Sequence, residues 1–127
     1  MPLSEKARIE VYLPEAAHPA YSQFLETLER EFTFAFGGCT LVRGLEGSYL
    51  SRLGIEIHDH ISLLYSDAPF EFTHNFEILS KYTDELRDAA LKALAEELIL
   101  VAAFPVFHAQ EASLFQGKAT ISPVPPQ

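Results

Sequence analysis

Four of the chain's six glycines lie between Phe34 and Tyr49, and a strand-period run followed by a helix-period run appears on both sides of that stretch. Residues 7–13 alternate strictly: Ala7, Ile9, Val11 and Leu13 share one side, while Arg8, Glu10 and Tyr12 share the other. That two-residue period belongs to a half-buried strand. Pro14 ends it. His18-Pro19 reads as a helix entry with proline in the first turn, and Tyr21, Phe24, Leu25, Leu28 and Phe32 fill one helical stripe. From Phe32 to Phe36 the period falls to two, so the helix is expected to end near Phe32 and an extended connection to reach Gly37-Gly38, where the backbone turns.

The second half repeats the plan in a longer form. Residues 39–45 read as strand 2, Glu46-Gly47-Ser48 as a turn, and Gly54 as the next turn. Residues 55–65 read as strand 3, with Ile55, Ile57, Asp59, Ile61, Leu63 and Tyr65 on one parity and Glu56, His58, His60, Ser62 and Leu64 on the other. The first set is the more apolar, so it is expected to face the core. Ser66-Asp67-Ala68-Pro69 closes the strand. Helix 2 is expected over about residues 73–97, opening at Thr73 to Asn75 and carrying Phe76, Leu79, Tyr82, Leu86, Ala90 and Leu94 on its stripe. Tyr82-Thr83-Asp84 is a point at which it could kink. Residues 98–104 are apolar at both parities, as in a strand covered on both faces, and Pro105 places strand 4 at a sheet edge or ends it.

The order strand, helix, strand, strand, helix, strand contains two strand-to-helix-to-strand crossovers. Right-handed crossovers put both helices on one face of a four-stranded antiparallel sheet, in the spatial order 4-1-3-2. On this element order, over about residues 7–109, the chain resembles the ferredoxin-like α+β superfamily with its βαββαβ plan. It is most similar to small single-domain members of unknown function that pair sheet to sheet as dimeric α/β barrels. Gly37-Gly38-Cys39-Thr40 followed by Gly47-Ser48-Tyr49 is similar to a Gly-Gly-x-Thr…Gly-x-aromatic signature in such families. The signature is structural and implies no activity. The acylphosphatases and muconolactone isomerases of the superfamily are not matched residue by residue.

At 127 residues and 48% hydrophobic content the chain suits one domain, able to bury roughly two-thirds of its unfolded surface. Residues 1–116 are expected to form it, with 117–127, ending Pro-Val-Pro-Pro-Gln, as an unpacked tail. The lone Cys39 suits a small buried hydrophobe and a reducing compartment. No apolar run resembles a secretory signal or is long enough for a membrane span, so a soluble cytoplasmic protein with no membrane partner is expected. Eighteen acidic against nine basic residues give a net charge of −9, which repels a phosphate backbone and excludes nucleic acid as an expected partner.

With helices over the face made by Ile9, Val11, Ile57, Ile61 and Leu63, the opposite face is expected to present Arg8, Glu10 and Tyr12 beside Glu56, His58 and His60. This polar group is the candidate ligand-binding site. His58 and His60 alternate along a strand, so their Cα atoms lie about 7 Å apart on one side, a spacing from which two imidazoles can share a divalent metal. Glu10 or Glu56 could be a third ligand; the alternative is two solvated histidines and no cofactor. An acid-base reading uses the same residues, a histidine with Glu10 orienting it and Tyr12 or Arg8 binding an oxyanion, in an isomerase or hydrolase of a small acid. His108, just beyond strand 4, has no direction fixed by sequence. The helix-free face also constrains assembly, because strand 4 leaves apolar residues there at either parity. The segment Ala112-Ser113-Leu114-Phe115 is too short to cover them. A homodimer joined through the sheet faces is the expected partner arrangement, making the protein a small-ligand-binding or interaction module.

Overall fold

The structure, a computed structural model, describes residues 3–96 and 98–109. The elements are β1 (Leu3–Pro14), α1 (Pro19–Phe36), β2 (Thr40–Leu50), β3 (Glu56–Ala68), a single 3₁₀ turn (Thr73–Asn75), α2 (Phe76–Leu94) and β4 (Leu100–Ala109). The sheet is antiparallel in the order β2-β3-β1-β4, which is the expected order read from the other edge. The arrangement is ferredoxin-like α+β. No helix among the described residues is long and apolar enough to cross a membrane. The tail 117–127 and the Leu114-Phe115 segment lie outside the described residues.

Central strand β1 organises the core. Ala7, Ile9, Val11 and Leu13 have no solvent exposure, and above them pack Leu25, Leu28 and Phe32 of α1 with Leu79, Leu86 and Ala90 of α2. His18 caps α1, its Nδ1 accepting from the Ala20 N–H at 3.0 Å. Gly37, at φ +96°, ends the helix by donating to the Thr33 carbonyl. Such a left-handed cap suits glycine. The helix therefore runs one turn past Phe32. Phe32 and Phe36 are four residues apart as well as two apart from Phe34, so the same phenylalanines satisfy a helical spacing. Phe36 continues the stripe, with its ring 5.7 Å from both Phe32 and Tyr82, and Phe34 points to solvent. Helix α2 runs unbroken through Tyr82-Thr83-Asp84.

Strand β3 corrects the expected parity. Leu13 pairs with Ser62, Val11 with Leu64, Ile9 with Ser66 and Ala7 with Ala68, so the even-numbered set faces the helices and Ile57, Ile61 and Leu63 face away. Small side chains let α1 and the α1–β2 connection approach closely, and their hydroxyls find partners there. Tyr21 donates to Ser62 Oγ at 2.7 Å, and Ser66 donates to the Gly38 carbonyl. A buried hydroxyl with such a partner loses the penalty that would otherwise keep it out of a core. Hydrophobicity alone cannot see this exchange.

Strand β2 is longer than expected because residues 46–48 are strand and not turn: Glu46 pairs with His60, Gly47 with Asp59 and Ser48 with His58. The turn lies at Ser51 to Gly54, where Gly54 at φ +77° donates to the Ser51 carbonyl. Between Val42 and Leu45 the register shifts, so that Arg43 and Gly44 together oppose Ser62. This is a β-bulge, with Gly44 at φ +75°. Its N–H, lost to the ladder, donates to Glu15 Oε2 at 2.9 Å, and Ser62 donates to the same oxygen at 2.8 Å. One carboxylate thus joins the end of β1 to β2 and β3. Beyond Ile61 in the direction of the turn, β3 has no β1 partner, so residues 46–60 form a two-stranded ribbon projecting from the sheet. Strand β4 continues through Pro105, which pairs with Ala7 from the sheet edge, where its missing donor is harmless.

The bulge yields a test. Gly44→Ala places a side chain at a left-handed backbone position, at a cost of about 1–2 kcal/mol. For a domain of this size that should lower the melting temperature by roughly 4–8 °C. An unchanged melt would show that the bulge relaxes freely.

Candidate functional site

The register assigns every strand residue to a face. Arg8, Glu10 and Tyr12 project from the helix-free face as expected, and their cross-strand neighbours are Asp67, Tyr65 and Leu63 of β3 and Phe104, Ala102 and Leu100 of β4. His108 shares this face too, since its partner Ser4 has the parity of Arg8. Glu56, His58 and His60 do not. They have the parity of Ser62 and lie on the helix side of the projecting ribbon. The correction follows from the inverted phase of β3.

Asp67 is the centre of the polar group. Arg8 donates to it through a two-pronged contact, Nε to Oδ1 at 2.7 Å and Nη2 to Oδ2 at 3.0 Å. His108 Nε2 lies 2.7 Å from Oδ2. An ionised carboxylate only accepts, so Nε2 carries the proton in this contact and Nδ1 is left for another partner. The Asp67 side chain is only 15% exposed. The Arg8 guanidinium holds its carboxyl below the usual aspartate range despite partial burial, and the His108 contact adds to the effect. Arg8 in turn is pushed up by Asp67, and its Cζ lies 4.3 Å from the centroid of the Tyr65 ring, a cation–π contact. Tyr12 donates to Glu10 Oε1 at 2.7 Å, and bonding to that carboxylate raises the phenol's pKa.

These groups satisfy one another, which limits the chemistry they can perform. Arg8 is a fixed cation clamped by Asp67, and Tyr12 is a donor already committed to Glu10. The imidazole of His108 differs: an aspartate orients it, and one ring nitrogen remains for a proton. In sequence Ser66-Asp67-Ala68-Pro69 reads as the close of the strand and Pro105 as an edge or an end, whereas β3 runs through Ala68 and β4 through Ala109, and these extensions bring the pair together. The available signal was that strands β1 and β3, if extended in register, bring a carboxylate opposite Arg8.

His58 and His60 are separated from that cluster by the thickness of the sheet. The His58 Nε2 lies 3.2 Å from Glu56 Oε2, and both side chains are well exposed. His60 sits across from Glu46 and lines a cleft with Glu15 and Arg43. No group of three His, Cys, Asp or Glu side chains is gathered closely enough to hold a metal ion among the described residues.

No family model matches the chain, and no curated protein does. Among solved structures, it is similar to the divalent cation tolerance protein CutA1 from Thermus thermophilus, at 20% identity and a TM-score of 0.47, covering 81% of this chain and 84% of that one. It is also similar to CutA1 from Oryza sativa, at 16% identity and a TM-score of 0.46, covering 87% of this chain and 84% of the other. Likenesses at these scores carry no argument about what the chain does, so its chemistry has to be read from its own residues.

The Asp67 cluster has a pH signature. Its folded pKa is depressed, so its stabilising contribution is fully present above the unfolded value and is lost as pH falls through the folded value. Asp67→Asn should cost about 2 kcal/mol at pH 7, where Arg8 loses a charged partner. The difference from wild type should shrink as pH drops below about 4. Urea titrations at pH 7 and pH 3 measure it. A difference that is constant with pH would remove the carboxylate charge from the account.

Proposed function

We propose that the protein is a homodimeric interaction module, two copies joined through their helix-free sheet faces, with a small-ligand space around Arg8, Glu10, Tyr12, Tyr65 and His108. The observation that carries this is the composition of that face. Outside the Asp67 cluster and the Glu10–Tyr12 pair it carries apolar residues on three strands, with Val42 and Leu45 from β2, Ile61 and Leu63 from β3, and Leu100 and Phe104 from β4. Leu100 is 56% exposed. A sheet face bare of helices is stable in water when its residues are polar, and this one is polar only in part. A second copy supplies a cover with the same shape and chemistry, as an isologous contact requires. Packed sheets stand about 10 Å apart, enough for side chains to fill the apolar part. Around the charged groups, which must keep their hydrogen bonds, the same separation favours an enclosed polar space.

Sedimentation equilibrium at micromolar concentration should return twice the 14.2 kDa chain mass. Leu100→Glu and Phe104→Glu should each return a monomer that melts cooperatively. A wild-type monomer would sink the reading, and so would a dimer that ignores both variants.

The Asp67–His108 pairing favours a second reading, that of a small acid-base enzyme acting on the same face with His108 as the base. Deuterium uptake from D2O by small oxo acids, present with wild type and lost in His108→Gln, is the expected result under it. No catalysed uptake across such acids would leave the module without this chemistry.

A further inference from the structure

The opposite side of the sheet carries a second concave surface. An open cleft of about 450 Å³ lies where β1 ends and α1 begins, lined by Glu15, Ala16, Ala17, Tyr21, Ser22, Arg43 and His60. Alternation puts Arg43 here: it follows Val42, which pairs with Leu63 on the helix-free face, so its side chain belongs to the helix side. Arg43 stands opposite helix-facing Ser62 and lines the cleft, and the bulge contributes the Gly44 N–H that holds Glu15. Among the described residues no side-chain hydrogen bond commits Arg43 or His60, and both act on Glu15 through their charge alone. Glu15 is different. Its Oε2 accepts from Gly44 and Ser62, which hold the carboxylate in one orientation, while Oε1 has no described partner. Those bonds, the Gly44 N–H foremost, keep its pKa below the usual range, with His60 and Arg43 adding to the effect. The lining of the cleft therefore combines an anchored acceptor with a guanidinium, an imidazole and the Ser22 hydroxyl. The first turn of α1 carries no acidic side chain to oppose an anion there.

We infer that this cleft binds a small carboxylic acid that also carries a hydroxyl or ammonium group. Arg43 and His60 receive the ligand's carboxylate, and Glu15 Oε1 accepts from its donor group. The planar fork of a guanidinium matches a carboxylate's two oxygens. A phosphate dianion fits less well. It would bring two negative charges beside Glu15 and beside Glu46, which pairs across from His60. A plain carboxylate leaves Glu15 Oε1 facing an apolar group, which wastes an acceptor already fixed in place. The site is on the helix side, so it does not depend on pairing through the helix-free face.

Amide and Arg side-chain N–H signals, followed by NMR in the full chain, test it with glycolate, glycine, acetate and inorganic phosphate as probes at constant ionic strength. The Gly44 amide and Arg43 Nε–H should shift saturably with millimolar glycolate or glycine, with acetate at least fivefold weaker. Arg43→Gln, an exposed position whose melt should match wild type, should weaken the response at least tenfold, and His60→Gln less. Linear shifts without saturation, an Arg43→Gln titration equal to wild type, or tighter binding of phosphate than of glycolate would each overturn the inference.

Discussion

Burial of Ala7, Ile9, Val11 and Leu13 beneath two helices is the constraint on which the other features depend. These four side chains are fully excluded from water. Each is worth on the order of 1–3 kcal/mol when removed from solvent, the alanine least. Because β1 lies between β3 and β4, fixing its inward side fixes theirs: every residue paired with an odd-numbered β1 position turns toward the helices, and every residue paired with an even one turns away. Asp67 meets Arg8 for this reason alone. The cluster on the helix-free face is thus a by-product of how the opposite face packs.

The two faces solve the problem of buried polarity in different ways. On the helix side, neutral hydroxyls run in series from Tyr21 through Ser62 to Glu15, so the charge of that series lies at its outer end. On the other side, Asp67 is matched at close range by Arg8 and by His108, with an aromatic ring beneath the guanidinium. An ion pair of that kind holds its geometry because each member would be costly to leave alone in a partly desolvated setting. In a chain with twice as many acidic as basic residues, Arg8 has one short-range partner and a well-defined place.

The fold was legible because its signals are periodic and redundant. Alternation in residues 7–13, the stripes of two helices and the crossover rule agree with one another, and an error in one leaves the topology unchanged. The candidate site was less legible because it depends on phase. In β3 the better hydrophobes, Ile57, Ile61 and Leu63, occupy one parity, and the natural inference sent them inward. The register with β1 sends Ser62 and Ser66 inward instead, where Tyr21 and Gly38 receive them. That single inversion moved His58 and His60 to the other side of the sheet from Arg8, Glu10 and Tyr12 and brought Asp67 in, while His108 joined because β4 continues past Pro105. A bulge leaves a weak trace in sequence, a glycine in a strand run, and nothing local distinguished Gly44 from the turn glycines near it. Phe32, Phe34 and Phe36 show the same ambiguity in miniature, since residues two apart satisfy a strand and residues four apart a helix.

The ribbon that extends past the end of β1 divides the molecule's rigidity. Its backbone amides have one neighbouring strand where those of the sheet interior have two, and Leu53 at its turn is 85% exposed. An isolated pair of strands is marginal in water. Opening the ribbon to solvent needs far less energy than opening the core above β1, and the two events are separable. Residues 46–60 are therefore the part of the sheet that costs least to open. The Glu15 anchor at the bulge ties the base of the ribbon back to the end of β1.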